Sequence, residues 1–569
     1  IVMQKRAVYE AVVDITGRKV LSRKQVENAQ PSLLLSEEWM GIQRIVRSNR
    51  EWQKAIRRRG ITSLGDVVCI PNTVGYFGDA YKKNRRLVKV ASYESAGSRN
   101  FWSRPIEGLT VLVDLGEWRV IEVLDIGVIP IPQTRADLDT GSVEELRKAP
   151  PTVSMTQPEG PGFTVDGRVV QWQKWRFHFR MDPRPGLVIS TVCYEDDGNL
   201  RQILYQGSLS ELFVPYMDPD SGWYYKTFLD AGEYGIGKLA TSLEAGIDCP
   251  ANAQFFDATF ADDWGTPYTI ERAACLYERY YGDVAWRHYE SETGHKESRK
   301  RTELVLRSVS AIGNYDYIFD WIFRQDGSIK IAVGASGIDL VKGVHSRTIA
   351  DESAEEETRY GRMVAEQTLA VNHDHFFCYR LDPDIDGMQN SFLYERLKTR
   401  RTADKSLRKS VWIVDSQVLS SEQAARLRIN LEKPALWRVI NPNVKGSLGY
   451  PVSFQLKPKA NAVSLLTADD PPQRRAGFTD YHLWVTPFRQ KERYAAGLYP
   501  NQSKGGDGLP HWASADRSIK NTDIVLWYTL GFHHVVRAED WPVLPTNWHE
   551  FELRPFDFFP KNPALDLPE

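Results

Sequence analysis

Two histidine sets in this chain have the spacing of metal ligands. His373-Asp374-His375 puts two imidazoles on one face of a strand, because side chains at i and i+2 project together. His533-His534 is the second set, and on a strand its two rings point to opposite faces. Three imidazoles with water oxygens suit tetragonal copper(II). Three imidazoles and a water suit zinc as well, so the histidines alone leave the metal open. Asp230, in Phe228-Leu229-Asp230-Ala231-Gly232-Glu233-Tyr234-Gly235, reads by itself as a turn carboxylate before a glycine. A carboxylate works as a general base near neutral pH only when burial raises its pKa. The aromatic company of Asp230 (Tyr224, Tyr225, Phe228, Tyr234) is compatible with such a site. Tyr315, in Asn314-Tyr315-Asp316-Tyr317, shares its parity with Tyr317, Phe319, Trp321 and Phe323. From periodicity alone this is one aromatic face of a strand, the core of a sandwich.

These residues need rigid elements to hold them. Thr302 to Phe323 reads as one extended strand, turning at Asp326-Gly327 into Ile329–Val333. Val169 to Phe179 reads as another alternating strand. With 17 Trp and 11% aromatic residues, a large β component is expected. At 569 residues the chain is expected to hold two or more domains. Residues 1–36 contain a hairpin around Gly17 and read as the remnant of a small α+β domain. Residues 37 to about 62 are helix-like, with Ser36 as the N-cap, and strands follow at Val67–Ile70, Leu87–Val90, Leu109–Asp114 and Arg119–Leu124. Residues 37–150 thus form a small α+β domain. The Pro- and Gly-rich stretch over residues 130–168 is the best boundary, and residues 151–569 read as a large antiparallel β-sandwich. Residues 351–357 are acidic and read as a solvated loop or hairpin tip. The fold class is therefore mainly β, preceded by small α+β elements.

Composition excludes some functions. The 72 basic and 74 acidic residues nearly balance, so a nucleic-acid partner is not expected. No apolar run is long enough for a membrane span. The chain opens at Ile1 and ends without a Ser-Lys-Leu address; both termini read as incomplete, and peroxisomal and extracellular locations stay open. Five cysteines leave room for one or two disulfides, and counting cannot choose the pair.

Several segments, in order, resemble the copper-containing primary amine oxidases, a fungal member being one reading. Gly313-Asn314-Tyr315-Asp316-Tyr317 is similar to that family's topaquinone segment, which implies that Tyr315 is oxidised in place to the cofactor, with Asn314 and Asp316 helping to hold the ring. Val214-Pro215-Tyr216-Met217-Asp218-Pro219 and the Asp230 segment resemble the stretch carrying the catalytic base. The resemblance makes Asp230 the base, Tyr216 a partner of the quinone oxygen and Phe228 the gate residue. Gly531-Phe532-His533-His534, continuing to Trp541-Pro542, resembles the segment with the third copper ligand, which implies copper on His373, His375 and His534. It further implies a peripheral calcium or other second-metal site at Asp382, Asp384 and Asp523, a disulfide between Cys249 and Cys275, Trp102 in the substrate channel, and a homodimer with hairpin arms, one candidate arm spanning residues 337–375. Ala515 and Arg517 stand where a second peripheral site would want carboxylates, and Leu544 replaces a common Met near copper. The activity implied is oxidative deamination of a primary amine by O2 to aldehyde, ammonia and hydrogen peroxide. A three-His zinc hydrolase and a non-catalytic β-sandwich binding module are the rival readings.

Overall fold

The computed structural model describes residues 1–568 apart from 5, 6, 28, 32, 34–36, 79–84, 135, 144, 460 and 461; the expected cap Ser36 lies outside the described residues. Antiparallel strands dominate. One nine-stranded sheet carries, side by side, the strands Asn199–Pro215, His373–Pro383 and Ile524–His534. A ten-stranded sheet carries, in adjacent order, Pro267–Arg279, Glu303–Ile312, Tyr315–Arg324, Ile329–Gly337 and Leu544–Phe556. Their inner faces share one apolar core, as in a β-sandwich. Within it Phe177 of one sheet stacks on Phe323 of the other, ring centres 4.1 Å apart. Among the described residues no helix is long and apolar enough to cross a membrane.

The aromatic segment differs from expectation in one respect that matters for the site. Thr302–Phe323 is a hairpin, not one strand. Glu303–Ile312 pairs with Tyr315–Arg324, Ile312 lies opposite Tyr315, and Gly313-Asn314 is the two-residue turn. Leu304, Leu306 and Ile312 face the sandwich core before the turn; Tyr315, Tyr317 and Phe319 face it afterwards. Core residues thus change from even to odd positions, which an uninterrupted period-two strand cannot do. Gly313 takes the positive φ of +64° that the turn requires at its first position. Val169–Phe179 folds the same way. Val170 and Trp172 face the core before the bend, Trp175 and Phe177 after it, and Gln173 holds a φ of +51°.

A four-stranded antiparallel sheet runs Val67–Thr73, Leu87–Glu94, Pro105–Asp114 and Arg119–Asp125. Helical residues 37–58 pack on it through Ile42, Val46, Trp52 and Ile56. They form two helices, Glu37–Ser48 and Arg50–Arg58, rather than one. Asn49 breaks the run because its side chain accepts the Trp52 N–H (3.0 Å) and caps the second helix. Trp39 and Ile70 of this layer, with Trp102, reach the cavity described below. The acidic stretch 351–357 ends in a short helical turn, Ala354–Glu357, because the Glu357 carboxylate gathers the His345 and Ser346 N–H groups, each at 2.9 Å.

Candidate active site

His373 opens one strand and His534 closes its neighbour, directly opposite in the antiparallel register. His375 lies two residues along on the same face. The ligand atoms of the three rings all fall within 4.8 Å of one another. The outer contact of each ring fixes which nitrogen is free. His373 Nδ1 sits 2.8 Å from the Val371 carbonyl, so Nδ1–H donates there and the Nε2 lone pair faces inward. His534 Nε2 sits 3.2 Å from Asp540 Oδ2, which leaves the Nδ1 lone pair facing inward. His375 Nδ1 meets Tyr317 Oη at 3.1 Å, and its Nε2 is buried without a hydrogen-bond partner. Burial pushes His373 and His375 well below the usual imidazole range, with the neighbouring histidines adding to it. Both rings are therefore neutral, the form that binds metals. An orphaned buried nitrogen beside two lone pairs 3.3 Å apart is a donor set that fits a metal ion. His533 points the other way, to Asp374 Oδ1 at 2.7 Å.

Tyr315 comes to this cluster from the facing sheet. It is 2% exposed. Its Oη lies 2.7 Å from His373 Nε2, 2.9 Å from His534 Nδ1 and 2.6 Å from Asp339 Oδ1. Burial, with the Asp339 charge beside it, pushes the phenol well above its ordinary pKa and keeps it protonated. Its single hydrogen satisfies one of these three acceptors. The ring stacks on Tyr317 (5.5 Å, 13°), while Tyr216 stacks on His373 (4.6 Å, 22°). Asn314 Nδ2 donates to Tyr216 Oη (3.3 Å) and to the Ile338 carbonyl (2.6 Å), which ties the turn to the site. Gly337 pairs with Tyr315 at a φ of +101°, and a Cβ there would stand 2.5 Å from the Asn314 carbonyl oxygen. Asp316, expected beside the ring, lies on the opposite face of the strand, because neighbouring strand residues alternate; burial pushes its carboxyl up, and the Asp248 charge adds to this.

Asp230 begins a short helical turn, Asp230–Glu233, after Thr227–Leu229 pairs with the end of Asn199–Pro215. It is 4% exposed. Burial pushes its carboxyl well above the usual range, and the charges of Glu233 and Glu211 add to this. Those two acids are held elsewhere: Glu233 by Arg475 at 2.5 Å, Glu211 by the N–H groups of Ala231 (2.9 Å) and Gly232 (3.1 Å). A cavity of about 300 Å³ brings Asp230, Tyr216, Asn314 and Tyr315 together with Phe228 and Trp102.

Asp339, Asp540 and Trp39 are site residues that sequence reasoning missed. Asp540 lies in a segment that was read, six residues past His534. Asp339 was findable only through register: the Asp326-Gly327 turn folds residues 337–339 back against Tyr315. Away from the cavity, Asp382, Asp384 and Asp523 bring carboxylate oxygens within 4.8 Å of one another. Burial pushes Asp382 up to about 7, partly opposed by Arg380, and Asp384 up to about 6, with Asp523 adding to the rise. Cys249 and Cys275 are buried free thiols in side-chain contact with each other.

The chain is similar to known proteins over most of its length. The copper amine oxidase enzyme domain matches residues 164–569, and the copper amine oxidase N3 domain matches residues 37–139. The chain is 42% identical over 571 residues to the copper-containing amine oxidase gamma 1 of Arabidopsis thaliana, covering 98% of this chain and 79% of that one. It is 38% identical over 576 residues to the primary amine oxidase of Klebsiella aerogenes, covering 99% and 75%. The crystal structure of a copper-containing benzylamine oxidase from Hansenula polymorpha superposes with a TM-score of 0.89 at 26% identity, covering 99% of this chain and 88% of that one.

Proposed function

We propose, for a chain that belongs to the copper amine oxidase family, that Tyr315 is the topaquinone precursor, that His373, His375 and His534 would hold copper, and that Asp230 is the catalytic base. The protein is a primary-amine oxidase that uses O2, copper and topaquinone, releasing aldehyde, ammonia and hydrogen peroxide. When bound, the two cofactors supply a Lewis acid and an electrophilic carbonyl that also takes up two electrons.

The chain's own residues do the rest. Asp230 takes the proton from the substrate carbon next to nitrogen. An ordinary carboxylate is too weak a base for this step, and a raised pKa brings it nearer to the task. Tyr216, tethered by Asn314 and stacked on His373, lines the same cavity as Tyr315 and would offer its hydroxyl to the quinone oxygen. Asp540 and the Val371 carbonyl keep the inward lone pairs of His534 and His373 available.

The observation that carries this reading is the Tyr315 hydroxyl, 2.7 and 2.9 Å from the free nitrogens of His373 and His534. A zinc hydrolase keeps its open position for water; here a buried phenol stands beside the ligand nitrogens, which disfavours the hydrolase and the inert binding module. The test is a redox-cycling quinone stain on denatured protein that had been loaded with copper in air, together with peroxide release from a panel of amines. Wild type stains and releases peroxide; a copper-loaded, aerated protein that fails to stain refutes the assignment of Tyr315.

The remaining assignments rest on the same resemblance and on side-chain placement. Phe228 and Trp102 line the substrate channel, Asp382, Asp384 and Asp523 take a calcium ion or another hard cation, Cys249 and Cys275 form a disulfide under oxidising conditions, and two copies of the chain form a homodimer. The chain divides at about residues 36 and 150.

A further inference from the structure

The cavity beside Asp230 has an unusual charge balance. Its reactive groups come from the sandwich, but much of its remaining lining comes from the small α+β layer: Trp39 from the helix Glu37–Ser48, Ile70 and Pro71 from the strand Val67–Thr73, and Trp102. Phe228, Leu239 and Leu340 add further apolar surface. Among the described lining residues Asp230 is the only ionisable carboxylate, and none is Lys, Arg or Glu.

The acids nearest to Asp230 are not available either. Glu233 accepts from Arg475 (2.5 Å), the Thr73 hydroxyl (2.8 Å) and the Leu229 N–H (3.0 Å). Glu211 faces Arg184 and accepts two backbone N–H groups of the Asp230 turn. The neutral polar groups bring no charge, and several are tethered to the protein. Tyr234 Oη accepts the Thr73 N–H at 3.1 Å, Asn72 Nδ2 donates to the Ile70 carbonyl at 3.3 Å, and Asn314 is tied to Tyr216 and Ile338. A cation entering this space would lose its hydration and gain no anion, since Asp230 must serve the reacting carbon, and the faces of Trp39, Trp102 and Phe228 would return only about 0.5–2 kcal/mol of that loss.

We propose that this enzyme selects monoamines with an uncharged hydrophobic tail and rejects diamines, the wall formed by Trp39, Ile70, Pro71 and Trp102 being the discriminating element. The proposal rests on the reading of Tyr315 and Asp230 given above. A diamine can enter by shedding the proton of its distal amine. An alkylammonium pKa near 10.4 puts the cost of that at about 10³-fold at pH 7.4, which caps the penalty of the charge itself. The penalty then falls about tenfold for each unit of rising pH, because more of the distal amine is already neutral.

The test uses a matched pair: n-hexylamine and 1,5-diaminopentane, which differ by a terminal methyl against an ammonium at equal length. Each is given to the copper-loaded full-length chain in air, and kcat/KM is read from peroxide release. At pH 7.4 n-hexylamine is expected to exceed the diamine by roughly 100-fold, and the ratio should shrink as pH is raised to 9. A ratio below about 10, or one that does not shrink with pH, overturns the proposal. Placing a carboxylate in the wall supplies a second reading: Ile70→Asp should raise the diamine relative to n-hexylamine by about tenfold or more while the quinone stain persists. If that variant fails to fold, the wild-type pair and its pH dependence still decide. Failure of the underlying assignment looks different: no peroxide from any amine and no quinone stain would overturn both, whereas stain and peroxide with equal rates for the pair overturn the specificity alone.

Discussion

The strands His373–Pro383 and Ile524–His534 run antiparallel and carry a ligand-like cluster at each end. At one end are His373, His375 and His534; at the other are Asp382, Asp384 and Asp523. Both clusters arise from the same device, side chains brought together by strand pairing and adjoining turns. Their chemistry differs because their burial acts on opposite charge types. Burial pushes the imidazoles down, which leaves them neutral and cheap to keep in the dark. Burial pushes the carboxyls up, so at neutral pH three acids share a place that disfavours their charge. The first cluster is short of hydrogen-bond donors but carries no repulsion between charges. The second is under electrostatic tension that a hard cation would relieve.

The largest effect expected is therefore functional and at the histidine end. His375→Ala should remove copper retention, quinone staining and peroxide release together, whereas Tyr315→Phe should lose stain and turnover but keep copper. Asp384→Asn at the far end should leave kcat within about threefold, because the sites share no partner. Copper content, stain and peroxide release read all three. A His375→Ala protein that still stains, or an Asp384→Asn protein that loses turnover, would break the contrast between the ends.

Next in size is Asp230→Asn, which should lower kcat by ~10² to 10⁴ while the quinone stain remains. The pH dependence follows from the direction of its shift. Acid protonates Asp230 and removes the base, so kcat at saturating amine falls as pH drops through a pKa lying above the ordinary carboxylate range. Asp230→Asn should abolish that acid limb in the residual rate. An acid limb that survives the substitution unchanged would assign it to another group.

Much of this site was legible in the chain because period two does a great deal of work over short distances. His373 and His375 share a face by spacing alone, and the aromatic run from Tyr315 to Phe323 shares a face for the same reason. The hairpin at Gly313-Asn314 was harder to see. Apolar residues alternate on both sides of it, so hydrophobicity never lapses, and only the Gly313-Asn314 pair and the switch of buried positions from even to odd mark the turn. The bend at Gln173 hid in the same way, without even a glycine to signal it. Asp339 needed more still: its contact with Tyr315 depends on the register of a hairpin that joins residues 24 apart. Trp39 lay beyond local reasoning, since it comes to the cavity from a different sheet and helix layer altogether.

The smallest expected effect tests the carboxylate end. Asp382 and Asp384 have folded-state pKa values of about 7 and about 6, above the ordinary aspartate value, so the folded protein holds protons that the unfolded chain has lost. Stability from these groups is present in full below the unfolded pKa and is lost as pH rises through about 6 to about 7. With chelator present, the melting temperature should therefore drop by a few degrees between pH 5.5 and pH 8, and calcium should restore it at pH 8 far more than at pH 5.5. Asp382→Asn with Asp384→Asn should flatten both responses, since amides carry no charge to relieve. Chelator must be applied to copper-loaded protein with the quinone already formed, and stain measured alongside, so that loss of copper at the histidine end is not mistaken for the effect. If calcium raises the melting temperature equally at both pH values, or equally in the double amide variant, the cation binds elsewhere and the two ends of the strand pair are not the opposed electrostatic sites that burial makes them.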